Sequence, residues 1–356
     1  MTPLSPRAVL IVVPDESWPV SGHRVTAERI RERTCSPGAP VDVIPLGDLD
    51  RRLEEGGIAL LHAFHASLTG PAVLEAAERE GLPFVVTICG NDLDPGEDAD
   101  RRRVEDVIAH AAGLLVFYPA ALRKVAVDFP EALPKIHVSW PGVAFLEGPS
   151  LRGRLGIPPD AVVFTLPTPL RASKRPLFAL PLLEKLQRKD PRLHFILAGP
   201  VVEETVGERA EREMRDLPWA HFLGTVPPDD MGSLYATSDI VMNTAETESL
   251  SDAVLEGMAA GLPPLVADNP GNREALGVLG PGRGYLEPTG ILFQSEWAFL
   301  EGARRLLEGP SLRRSLGDAA RRRVLTAFDA DREAEQHLLL WQKAFAGHRD
   351  RRASGL

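Results

Sequence analysis

The chain has 356 residues, with 40 Lys plus Arg against 50 Asp plus Glu, a formal net charge of −10. This acidity excludes general binding to nucleic acid or to an anionic membrane surface, since such affinity rests on an excess of basic residues against phosphates. Apolar residues at 44% and charged residues at 25% exclude disorder throughout, and the length suits two domains.

No apolar run approaches the roughly 20 residues of a membrane span. The start, MTPLSPRAVLIVVPDE, places a short apolar run before Pro14-Asp15-Glu16, with no small-residue cleavage site. It reads as a first strand rather than a signal peptide. Two cysteines, Cys35 and Cys89, cannot make a disulfide framework, so the cytoplasm is the expected compartment. No Cys/His cluster has zinc-ligand spacing.

In chain order, AVLIVVP (8–14) predicts a buried strand and GHRVTAERIRERT (22–34) a helix with Val25 and Ile30 on one face. Strands follow at 41–46, 58–64, 83–89, 114–118 and 135–140, separated by helical patterns near 68–81, 98–112 and 119–128. Continuous β-branched runs joined by helices predict a parallel sheet covered on both faces. The Pro- and Gly-rich stretch 141–161 reads as a linker with one short helix. The alternation then restarts with VVFTLP, LHFILAGP, HFLGTV, IVMNTA and PPLVAD, a second doubly wound α/β unit. From about Ser295 to Arg349 the pattern is helical, and the tail RDRRASGL is expected to fray. The Arg runs at 313–314 and 321–323 have Glu and Asp interleaved nearby and read as solvated faces. The expected division is 1–145, 146–330 and a final segment, 331–356, whose apolar LLLWQKAF (338–345) packs back on the first domain. Ligands of open α/β sheets sit outside the carboxyl ends of the strands, so chemistry is expected in the turns there.

The strongest signal is NTAETESLSDAVLEGMAAGLPPLVADNPGNREAL (243–276). A strand ends near Ala245 and a helix begins near Ser251. Ser249 or Ser251 can cap that helix, and Asp252 suits its first turn. The backbone N–H groups of Leu250, Ser251 and Asp252 then offer an anion site. Glu248 and Glu256 are eight positions apart, about two helical turns, so both carboxylates can face one cleft. The plainer alternative is a charge complementing the helix dipole plus a surface glutamate. A second signal, TPLRASKRPLFAL (168–180), puts Arg171 and Lys174 in a loop that leads from a strand into a helix, with a solvated basic turn as the plainer alternative. Weaker turns follow at Gly199 and at Gly224, Thr225 and Val226. In the first half, Gly22 and Arg24 open a helix, His62 and His65 close a strand, and Asn91 and Asp92 lie in the next strand-end turn.

E-x7-E followed by GMAAGLPPLVAD and a Pro-Gly-Asn turn resembles the retaining GT-B glycosyltransferases of the large family 4 type. SGHRVTAERI, LHAFHAS, the GNDLD turn, LRASKRPL, AGPVVE and DNPGN are similar to a smaller branch of it. That branch holds the glycosyltransferase 1 domain-containing group and the selenosugar synthases. The resemblance covers roughly 20–330 and implies two facing Rossmann-like domains with a cleft between them and a C-terminal helix returning to the first domain. It implies that Glu256 accepts hydrogen bonds from the nucleotide ribose and that Glu248 contacts the donor sugar. The amides of Leu250 and Ser251 would hold the diphosphate, Arg171 and Lys174 would neutralise it, and backbone groups at 224–226 would read the base. His62, the histidine that aligns with the branch, and Asp92 would orient donor hydroxyls or the acceptor, beside Gly22, Arg24, His65 and Asn91. Ser249 and Ser251 replace two glycines of the usual motif, R-x-x-K is shorter than the commonest spacing, and Arg175 competes for the cationic role.

The resemblance implies transfer of a sugar, with retention and with neither a metal nor another cofactor, from a nucleoside-diphosphate donor, preferably a UDP-sugar, to a small-molecule acceptor. Transfer to selenophosphate or a related sulfur or selenium nucleophile is the alternative acceptor chemistry. A non-catalytic nucleotide-sugar-binding protein and, lower, a sugar-nucleotide epimerase are the competing classes. A homodimer is left open.

Overall fold

The computed structural model describes residues 8–15, 22–36, 38–89, 92, 98–117, 119–143, 146–278 and 286–354. The chain divides into two compact units, Met1–Gly142 with Phe328–Leu356, and Val143–Ala327.

The first unit runs β1 (Ala8–Val13), α1 (Gly22–Thr34), β2 (Val41–Pro45), α2 (Leu49–Glu54), β3 (Ile58–Phe64), α3 (Gly70–Glu80), β4 (Phe84–Ile88), α4 (Asp98–His110), β5 (Gly113–Val116), α5 (Pro119–Asp128) and β6 (Ile136–Val138). The strands form one sheet in the order β2-β1-β3-β4-β5-β6, every pair parallel. Every residue of β1, β3, β4 and β5 is buried, as continuous apolar runs must be when helices cover both faces.

The second unit opens with the short α6 (Arg152–Leu155) and continues β7 (Val162–Pro167), α7 (Leu180–Gln187), β8 (Leu193–Ala198), α8 (Glu204–Met214), β9 (Ala220–Phe222), α9 (Met231–Thr237), β10 (Ile240–Asn243), α10 (Asp252–Ala259), β11 (Pro264–Ala267), α11 (Pro270–Leu276), β12 (Leu286–Glu287), β13 (Gly290–Phe293), α12 (Glu296–Glu308) and α13 (Pro310–Ala327). Its sheet has the order β12-β13-β11-β10-β7-β8-β9, antiparallel only at the β12–β13 edge. The strand GILF at β13 is an addition to the sequence reading. Four buried apolar residues are too few to carry a period, and pairing with β11 makes them a strand.

The chain ends in α14 (Ala330–Ser354), which remains helical through Ser354, beyond the start of the expected frayed tail at Arg349. Leu340, Trp341 and Ala344 of α14 lie in one core cluster with Val9, Ile11, Leu60, Val85 and Leu115 of the first sheet. Arg29 of α1 clamps Glu333 of α14 through Nε and Nη2, at 2.9 and 3.1 Å, with both residues nearly wholly buried. A planar guanidinium against a carboxylate satisfies both charges where water is absent. Among the described residues no helix is long and apolar enough to cross a membrane, and no group of three or more His, Cys, Asp or Glu could hold a metal ion.

Candidate active site

In the second unit the strand-end turns lock together through their backbones. Gly199 follows β8 with φ +152°, and a Cβ there would sit 1.9 Å from the carbonyl oxygen of Thr168. Only glycine lets these two loops lie this close. The Gly199 amide also donates to the Gly224 carbonyl at 2.8 Å, so the turns after β7, β8 and β9 are linked. Beyond Gly224, Thr225 is exposed and Val226 half-buried.

The turn after β7 carries the cations. Lys174 Nζ donates to both oxygens of Glu248, at 2.9 and 2.7 Å, and the two side chains are only 12% and 11% exposed. The Thr244 hydroxyl, just past β10, lies 2.9 Å from the carbonyl oxygens of both Lys174 and Arg175, tying this turn to the segment that bears Glu248. Arg171 is half-buried, and its Nε is buried without a hydrogen-bond partner among the described residues. A guanidinium N–H left in that state costs free energy that an anionic oxygen can recover. Arg175 is engaged elsewhere: its guanidinium lies 4.2 Å over the Phe178 ring and 3.9 Å from Glu246.

Glu248 has a second partner that sequence reasoning missed. Asn243, the last residue of β10 and 4% exposed, donates from Nδ2 to Glu248 Oε2 at 3.2 Å. Its Oδ1 accepts from the Ala245 amide at 3.0 Å and from Asn272 Nδ2 at 3.3 Å. A backbone donor on one side and a carboxylate acceptor on the other fix which end is oxygen. Asn269 caps α11 by accepting from the Asn272 amide, and donates to the Ala245 carbonyl at 3.0 Å. Gly271 brings α11 onto the Glu248 loop: its amide donates to the Glu248 carbonyl at 3.1 Å, and a Cβ would stand 2.0 Å from the Ser249 carbonyl oxygen.

Ser251 is the N-cap of α10, but its side chain makes no capping hydrogen bond; the expected serine cap is therefore a correction. Leu250 and Ser249 lie half-buried just before it. On the same helix Glu256 is half-buried, and its Oε2 accepts from the Tyr235 hydroxyl at 2.7 Å. Burial, and then the neighbouring Glu256 carboxylate, push the Tyr235 phenol well above its ordinary pKa. Tyr235, on α9, is the second residue that the sequence did not single out.

The first unit separates the two histidines. His62 is wholly buried inside β3 and does not close the strand. Its Nδ1 accepts from Trp341 Nε1 at 3.3 Å, and its Nε2 meets Thr87 Oγ1 at 2.8 Å. Burial, reinforced by His337, drives its pKa well below the ordinary value. This corrects the expectation that His62 reaches a ligand: both ring nitrogens are occupied inside the core. His65 stands at the strand end with φ +102° and holds Asp92 Oδ1 at 2.6 Å through Nδ1. Asp92 also accepts from the amides of Ala66, Ser67 and Cys89 at 2.7, 2.7 and 2.8 Å. Burial alone would raise the Asp92 carboxyl, but His65 and these amides hold it below its ordinary pKa. His23 of α1 meets the His65 ring edge-on at 5.5 Å, which brings the start of α1, with exposed Gly22, beside that loop. Arg24 reaches Glu28 at 4.0 Å. Asn91 lies outside the described residues.

Two Rossmann-like parallel-sheet units, the first completed by a C-terminal helix, define the GT-B fold. Residues 149–323, nearly the whole second unit, match the family model of glycosyl transferases group 1. Relatives include glycosyltransferase 1 domain-containing protein 1 of Xenopus tropicalis, 24% identical over 274 residues, covering 73% of this chain and 76% of the relative. The D-inositol 3-phosphate glycosyltransferase of Kineococcus radiotolerans is 29% identical over 361 aligned positions, covering 90% and 82%. Among solved structures, sucrose-phosphate synthase from Thermosynechococcus elongatus matches with a TM-score of 0.78 at 16% identity, over 96% of this chain and all of that one. Anabaena HepE in complex with UDP-glucose matches with a TM-score of 0.74 at 17% identity, over 94% and 99%.

Proposed function

We propose that this protein is a metal-independent, retaining glycosyltransferase. It moves a hexose from a nucleoside diphosphate, preferably UDP, to a small-molecule acceptor. The observation that carries this reading is the Lys174–Glu248 pair, its lysine in the same turn as Arg171, whose buried Nε has no hydrogen-bond partner among the described residues. Two cations at the end of one strand match the charge that grows on a departing diphosphate, and electrostatic support of that charge is the largest single contribution such a site can make. Glu248 is the counter-ion that keeps Lys174 in place before the donor arrives, and it stands against the sugar ring afterwards. In the front-face reaction the bond from the anomeric carbon to the phosphate oxygen breaks. The acceptor oxygen bonds to the anomeric carbon on the same face, and its proton passes to the leaving phosphate oxygen. No protein nucleophile is consumed. Glu256 takes the ribose hydroxyls, and the Leu250 and Ser251 amides take the diphosphate. Similarity to relatives named for glycosyl transfer, and to a fold neighbour solved with UDP-glucose, supports the donor class.

A thermal-shift series over UDP, ADP, GDP and their sugars tests the donor, because a ligand bound only by the folded state raises apparent stability by mass action. Lys174→Ala and Glu248→Ala are then assayed for release of the free nucleotide with candidate acceptors. Full turnover by both variants would refute the site.

A further inference from the structure

Glu256 does not stand alone on α10. The Tyr235 side chain is 2% exposed, and its hydroxyl lies 2.7 Å from Glu256 Oε2 and 3.1 Å from the Ala253 carbonyl oxygen. A phenol has one proton to give. The shorter contact has the length of a charge-assisted bond to a carboxylate, so the proton lies towards Glu256. The position of the hydroxyl is set independently of Glu256, because the ring packs in a small cluster with Val241 and Leu262. The helix is fixed too: a Cβ at Gly257 would stand 2.8 Å from the Val241 side chain, so α10 sits tightly on β10.

We propose that Tyr235 is the positioning residue of this site. By anchoring one oxygen of Glu256, it fixes the plane in which the carboxylate meets a vicinal ribose diol, and so sets a preference for ribonucleotides over 2′-deoxyribonucleotides. The proposal rests on the reading of Glu256 as the ribose contact. A long acidic side chain on a half-exposed helix face has several rotamers of similar energy. A carboxylate held in one of them loses less entropy when two hydroxyls bind it.

The test uses the full chain and whichever of UDP, ADP and GDP gives the largest thermal shift, together with its 2′-deoxy counterpart, with dissociation constants measured by calorimetry. Wild type is expected to favour the ribonucleotide by about tenfold, the worth of a hydrogen bond to a charged acceptor. Glu256→Gln is expected to bring the ratio close to one. Tyr235→Phe is expected to cut it by about threefold or more while leaving the 2′-deoxy affinity within about twofold of wild type, since only the orientation of an intact carboxylate is lost. A merely structural role would weaken both nucleotides alike and leave the ratio unchanged. That outcome overturns the proposal, whereas a wild type that does not discriminate, or a Glu256→Gln that still does, overturns the ribose reading beneath it. If Tyr235→Phe loses its melting transition, 3-fluorotyrosine at position 235 keeps the ring and alters the acidity of the hydroxyl, and an unchanged ratio then rejects the proposal.

Discussion

The two units each hold a carboxylate in a strand-end turn, and the two carboxylates are held in opposite ways. Asp92 in the first unit has no exposed surface and is bound by three backbone amides and His65. Glu248 in the second unit keeps 11% exposure and is bound by side chains, Lys174 and Asn243. Backbone amides cannot leave without unfolding the loop, so Asp92 is built into the architecture. A lysine on a flexible stem can exchange one anion for another, so the Glu248 pair can hand its cation to a phosphate. Burial and partner type, rather than the presence of an acid in a strand-end turn, separate a loop brace from a group available to chemistry.

The comparison breaks most readily at Lys174. Lys174→Ala should lower kcat by about 10²–10³, the usual cost of removing one preorganised charge-stabilising donor, and it should do so without unfolding the second unit. Activity within a few-fold of wild type in a nucleotide-release assay would remove Lys174 from the reaction. Asp92→Ala should act the other way round. It strands two buried amide donors, of Ala66 and Cys89, and the half-buried one of Ser67, and should cost about 3 kcal/mol or more of stability, measured in urea, whatever it does to turnover. If the stability loss is below about 1 kcal/mol, the brace is not structural. Asn243→Ala sharpens the second side. It removes one neutral donor from Glu248 and should cost roughly tenfold in kcat/KM, less than Lys174→Ala because the ion pair remains. An effect as large as that of Lys174→Ala would make Asn243 a partner of equal weight.

Much of this was legible beforehand, for physical reasons. The strands are continuous β-branched runs, and the helices between them carry a clear period, so both sheets follow from pattern alone except for the β12–β13 edge of the second. Lys174 and Glu248 lie in local motifs that follow strands, and Glu256 lies eight positions beyond Glu248 on α10. Asn243 and Tyr235 were not legible. A single Asn closing the apolar run IVMN, or a single Tyr in a short helix, reads like any ordinary element end, and its partner is set by tertiary packing. The histidines show the same limit more sharply. Every residue of β3 is buried, so no alternation along IALLHAF distinguishes a side chain directed at the core from one that reaches the strand end. The partner that settles the question for His62 is Trp341, 279 positions away.

His62 also carries the smallest and most specific prediction. Its pKa in the folded protein is well below the ordinary histidine value of 6.5, through burial and then the neighbouring His337, whose pKa burial also lowers. The unfolded chain therefore takes up protons at these two positions as pH falls below 6.5, while the folded chain does not. Proton uptake by the unfolded state favours unfolding, so their contribution to stability is fully present above that value and is lost as pH falls from it towards the folded-state pKa values. Each group can contribute a slope of up to about 1.4 kcal/mol per pH unit in this window. His62→Gln keeps a polar group near Thr87 and cannot titrate. It should lower stability at pH 8 yet flatten the fall between pH 6.5 and 5, in urea titrations at fixed ionic strength. A variant whose pH dependence runs parallel to wild type through that window would mean that His62 is not the buried neutral imidazole that distinguishes it from His65.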